Sequence, residues 1–233
     1  MVPAQRAVKR AFDIVFALLC LVLSAWLVLI CWAIATVDTR QNGFFTQERV
    51  GESGRLFRVV KIRTMRSVPG ISTSVTSRND PRITRLGRFF RRTKLDELPQ
   101  FLNVLVGQMS FVGPRPEVPG FADRLEGADR EILSVRPGIT GPATLVFRNE
   151  EGLLARCSEP ELYNRDVIFR EKVRLNREYL RSYSFTRDLV YIAGTLIPSL
   201  GRWIAPDFTA DGSVAEGKAT AKSAARSRAK AVV

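Results

Sequence analysis

The sequence contains no histidine. That absence excludes Ser-His-Asp and Cys-His nucleophilic devices and every histidine-bearing zinc site. A general base in this chain must be a carboxylate, or less often a lysine or tyrosine. Cysteine is scarce as well. There are three in 233 residues, with Cys20 and Cys31 inside an apolar segment and Cys157 far away. Neither a disulfide framework nor a cysteine-rich metal site follows from that spacing. A hard cation such as Mg2+, held by carboxylates and phosphates, stays open. Acidic residues are outnumbered, 23 Asp+Glu against 36 Lys+Arg, which leaves a formal charge of +13. Such a balance points to a polyanionic partner: nucleic acid, an anionic membrane or a phosphorylated substrate.

Charge is missing altogether from Ile14 to Val37. A helix of that length is ~36 Å long, enough to cross a bilayer core. A cleaved signal peptide is the first alternative, with Arg6, Lys9 and Arg10 as its basic start and Ala33-Ile34-Ala35 as its cleavage site. The apolar run is too long for that reading. Cations flank both ends of the run: Arg6, Lys9 and Arg10 before it, Arg40, Arg49, Arg55, Arg58 and Lys61 after it. A simple span would put a very basic domain on the outer side, against the usual bias, whereas a helix that enters and returns satisfies both flanks. The hydrophobic pattern favours a span; the charge pattern favours re-entry. Asp13, at the entry, is expected to stay near the headgroups.

After the apolar segment, residues 44–50 and 55–63 read as two strands joined by the Gly51-Glu52-Ser53-Gly54 turn. Lys61 and Arg63 alternate with Val60 and Ile62, so one face packs and the other carries two cations. Residues 67–81 read as a mobile loop rich in Ser, Thr, Pro, Gly and Asn. Ile83, Leu86, Phe89 and Phe90 then recur at helical spacing among arginines, which predicts a basic amphipathic helix suited to an anionic membrane surface. A solvated basic face over a core stripe is the plainer alternative. Gly113-Pro114-Arg115-Pro116 and the 136–142 stretch are stiff turns. Ser158-Glu159-Pro160-Glu161 fits a capping box opening a helix that reaches about Ser182. Leu189, Ile192, Ala193 and Leu196 mark a further helix that Pro198 ends or kinks, with Trp203 and Ile204 suited to a membrane interface. Beyond Ala210 lies a basic tail of disordered composition that accounts for +3 of the charge, so the basic character belongs to the body of the chain.

Asp96 and Glu97 stand out among these features, flanked by Arg91, Arg92 and Lys94 and followed by Pro99. Pro99 suits the first turn of a helix, which predicts a helix from Leu95–Glu97 to Gly107 with both carboxylates at its positive end. Backbone N–H groups there, with the neighbouring cations, favour phosphate. The stretch therefore offers a candidate nucleophile, a candidate metal ligand and phosphate-holding groups. An acidic first turn that only stabilises its helix is the bland alternative.

Several of these pieces, in this order, resemble the bacterial sugar transferase family of monotopic phosphoglycosyl transferases. The matching stretches are 9–13 (Lys-Arg-Ala-Phe-Asp), 44–51 (Phe-Phe-Thr-Gln-Glu-Arg-Val-Gly) and 61–65 (Lys-Ile-Arg-Thr-Met). They continue with 95–100 (Leu-Asp-Glu-Leu-Pro-Gln), 109–116 (Met-Ser-Phe-Val-Gly-Pro-Arg-Pro) and 136–141 (Arg-Pro-Gly-Ile-Thr-Gly). Any one of them could arise by chance, whereas the ordered set over residues 6 to 200 is specific.

The resemblance implies an α+β, mainly helical fold: a membrane-embedded N-terminal helix, a small β-hairpin and interfacial helices around a cytoplasmic active site. On that reading residues 1–40 are the membrane anchor, 41–205 the transferase domain and 206–233 a basic, disordered tail. The implied reaction moves a sugar-1-phosphate from a UDP-sugar to polyprenyl (undecaprenyl) phosphate in the bacterial inner membrane, which initiates glycan assembly. Asp96 would be the covalent nucleophile, releasing UMP, and Glu97 its neighbour in Mg2+ binding or proton transfer. Lys61, Arg91 and Arg115 would hold phosphates, with Arg63, Arg92 and Arg136 as weaker candidates. The expected partners are the donor, the lipid acceptor and the bilayer; nucleic acid is not expected, and homo-oligomerisation stays open.

Three departures accompany the match. Ser24-Ala25 replaces the usual Ser-Pro of the apolar helix, Gln108 replaces an acidic residue before Met-Ser, and 142–151 replaces a Gln- and Gly-containing stretch. A membrane-tethered polyanion-binding module and a lipid-diphosphate phosphohydrolase are the competing functions.

Overall fold

The computed structural model describes residues 1–68, 76 and 80–205. The predicted 67–81 loop falls mostly, and the 206–233 tail wholly, outside the described residues. The chain is mainly helical, with two small sheets.

The apolar segment forms one unbroken helix, α1 (Pro3–Thr39), of 37 residues and ~55 Å. By length and composition it can cross a membrane. Its buried residues are Lys9, Asp13, Ala17, Cys31, Ala35 and Thr39, spaced by four within each half, so one stripe packs while the rest stays apolar and exposed. Asp13 packs inside the protein. It is 1 % exposed, and its Oδ1 accepts a hydrogen bond from the Phe111 amide at 3.1 Å. The carboxylate fastens α1 to the protein body because a backbone N–H satisfies it there. Ser24 Oγ donates to the Cys20 carbonyl at 2.6 Å, a local back-bond to the preceding turn of the helix.

The hairpin pairs β1 (Phe44–Val50) with β2 (Leu56–Ile62) in antiparallel register, Phe45 opposite Lys61 and Arg49 opposite Phe57. That register puts Gln47, Arg49, Val59 and Lys61 on one face. Both faces pack, since Val59 and Ile62 are 1 % and 2 % exposed, so the predicted cationic face is an internal one.

α2 (Arg85–Thr93) is capped by Thr84, whose hydroxyl accepts from the Gly87 amide. Its expected apolar stripe divides: Phe90 and the preceding Ile83 are buried, while Leu86 and Phe89 are exposed. Lys94 then adopts a left-handed conformation (φ 61°), and Leu95–Glu97 forms a 3-10 turn before α3 (Gln100–Leu105). Where one helix through Gly107 was expected, the backbone turns twice, with the carboxylates on the first turn. Arg10 donates to the carbonyls of Val104 and Leu105, and Arg136 to that of Gly107, which satisfies the end of α3.

The second sheet is a parallel pair, β3 (Ser110–Val112) and β4 (Gly138–Thr140). The two stiff turns are partners here. The Gly138 amide donates to Pro114 O at 2.8 Å and the Gly113 amide to Thr140 O at 3.0 Å. A Cβ on Gly138 would lie 2.1 Å from the Gly113 nitrogen, so only glycine permits the approach.

The C-terminal part comprises α4 (Pro142–Val146), α5 (Glu150–Leu154), α6 (Pro160–Tyr163), a wide turn over Asn164–Ile168, α7 (Phe169–Arg181), α8 (Phe185–Leu196) and α9 (Pro198–Ile204). The predicted capping box does not form: Glu159 precedes α6 without a side-chain cap. Pro198 breaks the helix as expected. The main core gathers Ala17 of α1, Val59, Val104, Phe111, Val112, Tyr179 and Leu180.

Candidate active site

The Leu95–Glu97 turn is held from both sides. Leu95 packs into a cluster with Cys31 and Ala35 of α1, Ile62 of β2 and Phe90 of α2. Asp96 and Glu97 face inward, each 8 % exposed. The turn that carries the carboxylate pair thus packs, through Leu95, against the apolar N-terminal helix.

Glu97 is clamped. Lys61 Nζ lies 3.2 Å from its Oε1, and Arg115 ion-pairs with the same oxygen while reaching Oε2 at 3.5 Å. Arg115 is itself oriented by the Ile139 carbonyl at 3.2 Å, so the glycine-to-glycine strand pairing aims the guanidinium. Burial alone would raise the Glu97 carboxyl, but Arg115, Lys61 and Lys94 together hold it well below the usual carboxylate range. Burial pulls Lys61 below its ordinary value, with Glu97 opposing. Glu97 raises Arg115 against its own burial.

Asp96 is the opposite case. Its Oδ1 is buried without a hydrogen-bond partner. Burial, then the negative charge of Glu97, pushes the carboxyl up to about 6, while Lys61, Lys94 and Arg91 oppose the rise. Two adjacent carboxylates therefore have opposite characters: the cations around Glu97 favour its ionised form, whereas burial disfavours that of Asp96, one oxygen of which has no partner.

Of the predicted residues, Asp96, Glu97, Lys61 and Arg115 come together. Arg91 lies close enough to influence Asp96, but it ion-pairs with Glu151 and touches the Met65 sulfur at 3.5 Å. Arg63 turns away, donating to the Asn42 carbonyl at 2.7 Å with its guanidinium over the Phe45 ring. Arg92 is exposed. Arg136 caps α3 at the far end of that helix. Sequence reasoning missed Arg49 and Gln100, which line a pocket with Lys61, Val59, Arg115 and Pro116. The signal for Arg49 was present: it shares strand parity with Val59 and Lys61 across the hairpin. Also missed was partly buried Lys172, held by Glu117 at 3.3 Å and Glu150 at 2.9 Å.

Residues 4–202 match the family described as bacterial sugar transferase. The chain belongs to the bacterial sugar transferase family. It is an enzyme of the phosphoglycosyl transferase class. The transferase is 34% identical over 204 residues to the exopolysaccharide production protein PSS of Rhizobium leguminosarum bv. phaseoli, covering 83% of this chain and 96% of that protein. It is 35% identical over 196 residues to the UDP-glucose:undecaprenyl-phosphate glucose-1-phosphate transferase of Caulobacter vibrioides, covering 82% of this chain and 69% of that one. The Escherichia coli protein of the same description is 37% identical over 192 residues, which is 79% of this chain and 38% of that longer protein.

Proposed function

We propose that this transferase moves a sugar-1-phosphate from a UDP-sugar to a polyprenyl phosphate through a phosphosugar carried on Asp96. One observation carries the reading: Asp96 is a buried carboxylate with an unpartnered oxygen, beside a carboxylate fully engaged by Lys61 and Arg115. Glu97 neutralises two cations and leaves Asp96 free to react. Two relatives are named for UDP-glucose and undecaprenyl phosphate, which makes that donor and that lipid the first to test.

In the first step an Asp96 carboxylate oxygen bonds to the sugar-proximal phosphorus, the bond from that phosphorus to the UMP oxygen breaks, and UMP departs with its electron pair. In the second, a phosphate oxygen of the polyprenyl phosphate attacks the same phosphorus, and the bond to Asp96 breaks. The products are polyprenyl-diphosphate sugar and the free carboxylate. Lys61 and Arg115 hold phosphoryl oxygens, and Arg91 adds positive potential. The unpartnered Asp96 oxygen beside Glu97 fits Mg2+, which commonly takes one or two carboxylates and completes its shell from water and substrate phosphates. Among the described residues no group of three or more acidic or cysteine side chains could hold a metal unaided. Asp96 and Glu97 would hold the ion, which when bound neutralises diphosphate charge.

The reading places the site on the cytoplasmic face of the bacterial inner membrane. Exposed Val15, Leu18, Val22 and Trp26 of α1, with Leu86 and Phe89 of α2, would enter the lipid. Both ends of α1 pack on one body, the first through Asp13 and Ala17, the second through Cys31 and Ala35.

The test is UMP release by membranes carrying the protein, offered a panel of UDP-sugars without lipid acceptor. One UDP-sugar should give a stoichiometric burst of UMP and a phosphosugar adduct on the peptide containing Asp96, both abolished by chelation. UMP release with no adduct would favour direct attack by water. No UMP from any UDP-sugar would overturn the reading.

A further inference from the structure

The pocket beside Glu97 contains more cationic capacity than the carboxylate can absorb. Its lining is Arg49, Val59, Lys61, Gln100, Arg115 and Pro116. Lys61 and Arg115 share Glu97. Arg49 does not share it. Its guanidinium donates to the Pro116 carbonyl at 3.1 Å and to Gln47 Oε1 at 2.7 Å, both neutral acceptors. Among the described residues no carboxylate lies within ion-pair distance of Arg49. A partly buried guanidinium with only neutral acceptors retains strong affinity for an anion. Gln100 supplies the second, independent observation. It is 2 % exposed, and its Nε2 is buried without a partner. A buried amide donor left unpaired costs stability unless something else accepts its hydrogens. Asp96 Oδ1 is the second unsatisfied atom of this region.

The hairpin explains how these groups meet. Arg49 and Lys61 come from opposite strands but share one face. That face looks onto the start of α3, where Gln100 directly follows Pro99. Arg115 closes the side, and Arg49 grips the neighbouring Pro116 carbonyl, so both arginines depend on one proline-stiffened turn.

We propose that Arg49 and Gln100, with Lys61 and Arg115, form an oxyanion subsite that takes a phosphoryl oxygen of a substrate phosphate. The assignment of that phosphate to a substrate rests on the transferase reading above; the anion site itself does not. Arg49 donates from its guanidinium edge and Gln100 from its amide. A phosphate of the nucleotide donor and the phosphate of the lipid acceptor present the same chemistry, and the experiment separates them.

The test compares the full-length protein with Arg49→Gln, Arg49→Lys and Gln100→Leu variants in lipid nanodiscs, each checked for an unchanged melting profile. Steady-state UMP release gives KM for the UDP-sugar and for polyprenyl phosphate separately, and UMP gives product inhibition. Arg49→Gln should raise one KM by ~10- to 100-fold, Gln100→Leu should raise the same one by ~3- to 10-fold, and Arg49→Lys should recover part of the loss. A raised donor KM with weakened UMP inhibition assigns the subsite to the nucleotide; a raised acceptor KM assigns it to the lipid. Unchanged values for both in well-folded variants would overturn the proposal. Inorganic pyrophosphate binding, measured by calorimetry, tests the anion site even if no UDP-sugar yields UMP. Wild-type binding that Arg49→Gln abolishes then supports the site while the transferase reading fails, and equal binding by both proteins overturns it.

Discussion

Two buried clusters in this molecule combine carboxylates with cations, and they treat their polar atoms differently. Near the start of α1, Lys9 meets Asp188 of α8 at 2.5 Å. Tyr179 donates to Asp188 Oδ1 at 2.8 Å, Tyr183 to Oδ2 at 3.4 Å, and nearby Asp13 accepts from Phe111. Both Asp188 oxygens are satisfied. Around Asp96 the pairing is incomplete: one carboxylate oxygen and one glutamine amide have no partner, and one arginine has no carboxylate within ion-pair distance. A satisfied buried network locks elements together, whereas an unsatisfied one stores affinity for something that arrives later. The first cluster anchors the apolar helix; the second is the proposed reaction site.

Asp96→Asn should break that comparison most severely. UMP release should fall by at least ~10^3-fold, since no other group replaces the nucleophile. The same substitution should raise stability at pH 7 by roughly 1–3 kcal/mol, because it removes a carboxylate that burial disfavours. Activity loss with a raised melting temperature is the joint signature.

Lys9→Met should do the reverse. It leaves Asp188 buried without its cation and should cost roughly 3–5 kcal/mol by denaturant titration in detergent. Turnover per folded molecule should stay within a few-fold of wild type. A selective loss of kcat without loss of stability would place this cluster in the reaction.

The pH profile offers a smaller effect. The Asp96 carboxyl is raised to about 6, so its reactive form gains population as pH rises through that value. The UMP burst rate should climb about tenfold from pH 5 to pH 7. Stability runs the other way: the raised carboxyl favours folding below its unfolded value, and that contribution is lost as pH rises through about 6. Asp96→Asn should flatten this part of the stability curve.

Arg136→Ala is the mildest change. Arg136 donates to the Gly107 carbonyl and is about a third exposed. Its removal should cost ~0.5–1.5 kcal/mol and leave both KM values unchanged, which would separate it from Arg115 although both lie in family-matching stretches.

Much of the fold was legible because it is local. The charge-free run forms α1, the Gly-containing turn closes the hairpin, and Pro198 breaks a helix where its missing N–H dictates. The site was legible in part. Paired carboxylates ahead of a proline marked Asp96 and Glu97, and alternation in β2 marked Lys61. Arg63 follows the same alternation, but the strand ends at Ile62 and the side chain bends to Asn42 instead. The anchoring role of Asp13 was not legible because hydropathy says nothing about a backbone amide arriving from β3, 98 residues later. The expected stripe on α2 divided because the segment meets a core on one side only.

The sequence by itself determined the family, the apolar helix, the hairpin and the carboxylate pair, since each rests on residue order or on periodicity within one element. Tertiary structure alone decided which cations neutralise Glu97, which oxygen of Asp96 stays free, and that Arg49 and Gln100 join the same pocket. It also decided that both ends of α1 rest on one body. The physical reason is range. Propensity and alternation act over a few residues, but a charge is neutralised by whatever the chain brings within a few ångströms. Lys61 and Arg115 reach Glu97 across 36 and 18 residues of chain.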